Sequence, residues 1–110
     1  MSEVFRTMRV IVMFDLPTKR TEEKRAYAEF RKGLESLGFL RLQHSVYSRL
    51  VLSRDAVEPL MSKIRAICPN IGEIVAFIMT EQQYAKREII LGTGSCAAEV
   101  GAGEQMALVL

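Results

Sequence analysis

Apolar runs and helical periods alternate along the chain. Residues 9–14 form a short apolar run rich in β-branched side chains, which is typical of a central strand covered on both faces. Asp15 and Pro17 end this strand, because proline cannot continue a hydrogen-bonded ladder. Residues 73–80 form a second apolar run and predict another buried strand.

Two segments repeat apolar residues at intervals of three and four, which predicts amphipathic helices. The first begins at Thr21, its expected N-cap, and stops at Gly38. The second begins at Ser53 or Asp55 and ends at Ile67.

Between the helices, residues 39–52 alternate between apolar and polar side chains, the pattern of a sheet with one buried and one wet face. We expect the apolar set to face the core. The apolar set comprises Leu40, Leu42, Val46, Leu50 and Leu52, and the polar set comprises Arg41, Gln43, Ser45, Tyr47 and Arg49. The segment is long for one strand, so it predicts two strands or one sharp bend near Gln43–Val46.

The resulting order is β-α-β-β-α-β, which predicts a ferredoxin-like α+β domain over residues 1–92, with one antiparallel sheet backed by two helices. Arg87–Leu91 is a candidate extra C-terminal strand. Residues 93–110 are rich in Gly, Ala and Ser and end in an apolar tip. We interpret strand and tail as elements that dock on a second copy or on another protein; a disordered end is the alternative.

Length and composition narrow the class of protein. A chain of 110 residues has room for one domain with its own core. No run approaches ~18 uninterrupted apolar residues, so we expect neither a secretory leader nor a membrane span. Cys68 and Cys96 lack the spacing of a disulfide framework or a zinc site, which predicts reduced thiols in a cytoplasmic protein.

Positive charge is concentrated in the first part of the chain. The net charge is only +2, but residues 1–65 hold 13 of the 15 Lys and Arg and 8 of the 13 Asp and Glu. Basic residues follow the first strand and line the first helix, with two further candidates on the polar set: Lys19, Arg20, Lys24, Arg25, Arg31 and Lys32, then Arg41 and Ser45. Such a stripe suits the phosphates of a nucleic-acid backbone, although an ordinary solvated helix face is equally compatible with the pattern.

Asp15 is the first candidate for chemistry, since it is a carboxylate at the point where an apolar strand ends. One carboxylate cannot hold Mg²⁺ alone, but in a two-fold dimer Asp15 and its symmetry mate could share one ion. The alternative is a carboxylate that accepts backbone N–H groups in the following turn. His44 shares the parity of the leucines and is expected to be partly buried. Because no nucleotide-binding loop or catalytic triad motif is present, a binding or scaffolding role is favoured over an efficient enzyme.

Several of these segments together resemble the Cas2 family of small CRISPR adaptation proteins, in the form found in its type II-A branch. The similarity covers about residues 8–92, whereas the tail matches no known pattern. The segments that carry it are Val12–Leu16, Lys19–Arg20, Tyr27–Lys32, Gly38–Phe39 and Gln43–Ser48.

The resemblance implies a ferredoxin-like homodimer that bridges two dimers of the CRISPR integrase. Such a dimer binds the backbone of prespacer double-stranded DNA during spacer acquisition. The family is also labelled a metal-dependent endonuclease on RNA or DNA, which implies that Asp15 is a Mg²⁺ ligand and a catalytic residue. No membrane partner is implied.

Overall fold

The computed structural model describes residues 7–92. Its strands are β1 (Met8–Asp15), β2 (Leu40–Gln43), β3 (Val46–Val51) and β4 (Glu73–Thr80). They form one antiparallel sheet in the order β2-β3-β1-β4. The helices are α1 (Thr21–Ser36), α2 (Val57–Ile67, preceded by a 3-10 turn, Arg54–Ala56) and α3 (Glu81–Ala85). The ferredoxin-like α+β prediction is confirmed, and β4 has the predicted bounds.

The core lies between the sheet and the two long helices. Val10 and Val12 of β1 are fully buried, and they pack in one cluster with Leu34 of α1 and Ile64 of α2. Phe14, the next inward residue of β1, is the centre of the aromatic part of this core. Its ring lies 5.0 Å from Phe30, 5.6 Å from Tyr27 and 5.8 Å from Tyr47 between centroids. The C-terminal end of β1 is therefore packed against aromatic rings from both α1 and β3.

The ends of α1 differ in how closely they follow the sequence prediction. At the C-terminus Gly38 has φ +90°, and its N–H and that of Phe39 donate to the carbonyls of Glu35 and Leu34, both at 3.0 Å. This closes the helix as predicted. At the N-terminus the cap is Arg20 and not Thr21, because the Glu23 carboxylate reaches back and accepts the backbone N–H of Arg20 at 3.0 Å.

The long alternating segment breaks as predicted, with β2 and β3 joined through His44 and Ser45. The predicted orientation of its faces is wrong. Leu40 and Leu50 are 44% and 41% exposed, whereas Tyr47 is 2% exposed and belongs to the core. Alternation shows that the two faces of a strand differ, but it does not show which face the helices cover. They cover the face of Val10 and Val12, whose cross-strand neighbours on β3 are Arg49 and Tyr47.

The second face of the sheet has no long helix over it within the described chain, and we call it the open face. Strands β1 and β4 were expected to be covered on both sides, yet Met13 is 43% and Phe77 48% exposed. By register, the apolar residues of the open face are Ile11, Met13, Leu40, Val46, Leu50, Val75, Phe77 and Met79.

One end of the open face is covered by α3, a short helix that the sequence analysis missed. Arg9 is 6% exposed there and donates twice to the Glu81 carboxylate, at 2.8 and 2.6 Å. Its guanidinium group also lies 4.2 Å above the buried ring of Tyr84, over which the Arg87 guanidinium group lies at 3.9 Å. Charge pairing and cation–π contacts thus fix α3 to β1.

Residues 87–91 form no strand in the described chain, contrary to the expectation of an extra C-terminal strand. An added strand would have to pair with an edge of the sheet. Ile90 and Leu91 are instead 88% and 95% exposed. Residues 93–110, including Cys96 and the predicted docking tail, lie outside the described residues. None of the described helices is long and apolar enough to cross a bilayer.

Replacing Glu81 with glutamine is expected to lower the free energy of unfolding by about 3 kcal/mol, because the buried Arg9 charge loses its carboxylate partner. Urea denaturation monitored by circular dichroism measures the loss. The matched control is Glu58→Gln, which breaks the 2.7 Å pair with Arg65 on the exposed face of α2 and should leave the free energy of unfolding almost unchanged, because water screens this pair. Equal losses in the two variants would contradict a structural role for the Arg9–Glu81 pair.

Candidate nucleic-acid interface and carboxylate site

Asp15 is the last residue of β1 and its side chain is exposed. In the antiparallel register its direct neighbour on β4 is Glu73, which is also exposed. Residues paired in this way project to the same face of the sheet, with Cβ atoms about 5 Å apart. Sequence reasoning missed Glu73, because only the β1–β4 register brings it beside Asp15.

Two adjacent carboxylates match the protein ligands that Mg²⁺ commonly takes, which are one or two carboxylates completed by water and phosphate oxygens. The described residues contain no group of three His, Cys, Asp or Glu side chains that could hold a metal ion. Asp15 and Glu73 therefore fit a hard cation only if further oxygens come from a substrate, water or a second chain. Without such a cation, like charges placed directly opposite each other repel.

Backbone contacts hold Asp15 from two sides. On one side the N–H of Phe14 donates to the carbonyl of Ser45 at 3.1 Å, and Ser45 has the left-handed φ of 61°. On the other side Gly72, with φ +83°, lies against the end of β1. A Cβ on Gly72 would be 2.7 Å from the Asp15 carbonyl oxygen and 3.1 Å from the Cα of Leu16. The β2–β3 turn and the loop before β4 together fix where Asp15 leaves the sheet.

A cavity of about 320 Å³ lies beside Asp15 at this end of the open face. Its walls are mainly apolar. They comprise Met13, Phe14, Val46, Val75 and Phe77, with Asp15, Glu73, His44 and Ser45 as the polar members.

His44 is exposed in the β2–β3 turn, so the expectation that it is partly buried is wrong. A turn interrupts the alternation from which its burial was inferred. Its ring stacks on Tyr27 of α1, with centroids 6.0 Å apart and planes at 22°. The Tyr27 hydroxyl lies 3.1 Å from the Ser45 hydroxyl, and this hydrogen bond joins α1 to the turn. The Ser45 side chain, a predicted phosphate contact, is thus held in place by Tyr27.

The predicted basic residues occupy the helix side of the molecule. All of those before and along α1 are exposed except Arg31, which is half-buried and pairs with Glu35 at 3.3 Å. The exposed members are Lys19, Arg20, Lys24, Arg25 and Lys32.

Arg41 lies on β2, across from Tyr47, and is exposed. Burial raises the pKa of the Tyr47 hydroxyl and the Glu35 carboxylate adds to the rise, while Arg31 and Arg41 oppose it. Arg31 and Arg41 therefore both lie close enough to Tyr47 to influence its hydroxyl group, although they come from α1 and β2.

Fold and site together define a small ferredoxin-like domain whose first strand ends in a carboxylate beside a basic helix. The family model described as CRISPR associated protein Cas2 matches residues 8–87, and the chain belongs to this family.

Proteins named CRISPR-associated endoribonuclease Cas2 from several bacteria are similar to the chain. The one from Treponema denticola is 45% identical over 85 residues, which are 77% of this chain and 84% of that protein. The one from Streptococcus mutans is 43% identical over 79 residues, 72% of each chain. The one from Campylobacter jejuni is 39% identical over 85 residues, and these span 59% of that protein and 77% of this chain.

Replacing Gly72 with alanine is expected to lower the free energy of unfolding by about 2 kcal/mol or more, since the new Cβ meets backbone as well as adopting a positive φ. The Asp15 amide resonance in a ¹H–¹⁵N spectrum should shift with it. The control is Gly38→Ala, with φ +90° but only the Arg49 side chain nearby, at 3.4 Å. It should cost about 1 kcal/mol and leave the Asp15 amide in place. An unchanged Asp15 amide in Gly72→Ala would contradict the contact.

Proposed function

We propose that this protein is a subunit of the CRISPR adaptation machinery. It acts as a homodimer that bridges two dimers of the CRISPR integrase and binds the backbone of prespacer duplex DNA. The observation that carries the proposal is the distribution of surface chemistry. Apolar side chains occupy the open face of the sheet, and cations occupy the helices on the opposite side.

The open face supports the homodimer. Its residues form rows across three strands, such as Val46, Met13 and Val75, which are direct neighbours in the register. Contiguous exposed apolar rows of this kind are typical of surfaces that another chain covers. A second copy offers the same apolar rows, and two-fold pairing is the commonest closed arrangement of identical chains.

The helix side supports duplex binding. Pairing through open faces would leave the α1 helices of both chains on the outside of the dimer, with Lys24, Arg25 and Lys32 exposed. Two basic helices related by a two-fold axis suit the pseudo-symmetric backbone of a DNA duplex. Phosphate contacts of this kind fix position without reading sequence, which suits capture of DNA of any sequence.

The second candidate function is Mg²⁺-dependent cleavage of a phosphodiester in RNA or DNA. It is favoured by the Asp15–Glu73 pair beside a cavity and by the endoribonuclease name of the relatives. In the dimer Asp15 and its symmetry mate would hold the ion, which would supply Lewis-acid stabilisation to a phosphoryl oxygen. The integrase would perform the chemistry of spacer insertion, so the adaptor role needs no such cleavage.

Replacing Phe77 with glutamate is expected to convert a dimer into a monomer, because a charge would be placed in the centre of the open face. Phe77 is 48% exposed, so the single chain should still fold. Sedimentation velocity measures the mass, and circular dichroism confirms the fold. The control is Ala66→Glu on the exposed surface of α2, which should remain dimeric. A dimeric Phe77→Glu protein would exclude the open face as the interface.

The whole proposal is tested by the light-scattering mass of the protein mixed with the CRISPR integrase and a duplex of about 30 base pairs. Wild type and Asp15→Ala should give the same large complex with two copies of this chain. Lys24→Glu combined with Arg31→Glu should weaken duplex binding and reduce its salt dependence by about two ions per chain.

The matched control for charge reversal is Lys63→Glu on α2, which should bind nearly as wild type. If no complex forms and Mg²⁺-dependent cleavage is lost in Asp15→Ala, the nuclease function replaces the adaptor role. Equal loss of binding in all charge variants would mean that net charge, and not the α1 surface, holds DNA.

A further inference from the structure

We propose that Arg31 of α1 and Arg41 of β2 bind one backbone phosphate of duplex DNA between them, and that the Glu35 carboxylate holds Arg31 until this phosphate displaces it. The inference rests on the proposed function, since the ligand is the same duplex. It adds which two side chains share a phosphate, and it identifies an acidic residue that lowers the affinity of the surface for DNA.

The three charged side chains lie close to one buried side chain, the ring of Tyr47. Arg41 is the direct cross-strand neighbour of Tyr47. Burial is the main cause that raises the pKa of the Tyr47 hydroxyl, and the Glu35 carboxylate raises it further. Arg31 and Arg41 oppose this rise, so all three charges are near the same hydroxyl. The ring beneath them is fixed, because it stacks on Phe14 with planes at 28°.

This site lies on the helix side of the sheet, so it stays accessible when the open faces of two copies meet. Tyr47 belongs to the core between sheet and helices, and its cross-strand neighbour Arg41 projects to the same side. β2 is also an edge of the sheet, with no strand beyond it in the described chain. Arg41 is exposed, and the side chains of Arg31 and Glu35 are 38% and 47% exposed. A DNA backbone can therefore reach both arginines from outside the dimer.

Glu35 occupies a position where the helix disfavours a carboxylate. It lies in the last turn of α1, which holds no basic residue, and the partial negative charge of a helix C-terminus repels an anion. Its pairing with Arg31, four residues earlier, also has the less favourable order, since such pairs stabilise a helix better when the acidic residue comes first. Residues that break local rules in this way are expected at functional positions.

The contact between Arg31 and Glu35 is also easily displaced. Arg31 Nη1 lies 3.3 Å from Glu35 Oε2, which is longer than the about 2.7–2.9 Å of a strong charge-assisted hydrogen bond. Both groups are solvent-exposed, and exposed pairs contribute little stability. A phosphate offers two oxygens to one guanidinium group, and Arg41 adds a second such group. The phosphate thus replaces Glu35 at Arg31 and leaves the carboxylate as a nearby repulsive charge.

The role of the acidic residue is tested by Glu35→Gln in the full-length protein, with a fluorescently labelled duplex of about 30 base pairs and binding measured by anisotropy. Binding should tighten by roughly 4- to 25-fold, which is roughly 2- to 5-fold for each of the two chains, because a competing exposed pair is removed. The matched control is Glu29→Gln, which removes the same charge from an exposed position about 120° around α1. It should change the affinity by less than about 2-fold.

The shared phosphate is tested by the slope of the logarithm of affinity against the logarithm of salt concentration. Arg31→Ala and Arg41→Ala should each weaken binding but leave this slope nearly unchanged, because the remaining arginine still neutralises the phosphate. The double variant should reduce the slope by about 0.9 per chain, the value for one lost phosphate contact. A reduction of about twice this value would mean that the two arginines bind separate phosphates, and would overturn the sharing.

Failure of the inference can be distinguished from failure of the proposed function in the same experiment. Equal affinities of Glu35→Gln and Glu29→Gln would overturn the role of Glu35, while duplex binding by wild type would still support the proposed function. An unchanged affinity in the double arginine variant would overturn the phosphate site in the same way. If wild type binds no duplex at any salt concentration, the proposed function fails and the inference fails with it.

Discussion

A four-stranded sheet with apolar side chains on both faces is best stabilised by two covering layers, and the described part of this chain supplies one, from α1 and α2. Burial of apolar area stabilises by about 25 cal/mol per Å². The open face, with Met13 and Phe77 nearly half exposed, thus retains apolar area among the described residues, and covering it with a second copy, as proposed, would add stability. The same constraint sends the polar side of α1 outward, and so separates the surface proposed for a second copy from the surface proposed for DNA.

The order and type of the major elements were predictable because they depend on local signals. Apolar periodicity placed α1 and a continuous apolar run placed β4. Gly38 ended α1 through a left-handed turn that glycine adopts without strain. The errors came from relations between elements. The leucines of β2 and β3 carry the apolar signal, but the helices cover the side of Tyr47. A sequence pattern does not show which side that is. α3 is only five residues long and is held by Arg9, a contact 72 residues away in sequence, so no local pattern predicts it.

The candidate site was likewise predictable only where it depends on local signals. Asp15 follows from its place at a strand end and the basic residues of α1 follow from helical spacing, although their functions remain predictions. Glu73 and the His44–Tyr27 stack could not be derived, because they arise from cross-strand register and from a turn with a positive φ at Ser45. Family resemblance supplied what residue patterns did not: a reason to prefer nucleic acid over a solvated helix face.

Arg9 has a consequence for how two copies can meet. A uniformly apolar sheet face would allow a partner to slide along the strands or to reverse its direction at little energetic cost. Here one end of the open face is closed by the Arg9–Glu81 pair and α3, and the other end carries the paired carboxylates Asp15 and Glu73. Any displaced arrangement would press apolar rows against one of these charged ends, where desolvation is costly. In the proposed dimer the two charged ends would therefore limit displacement along the strands and hold the carboxylates at a defined place.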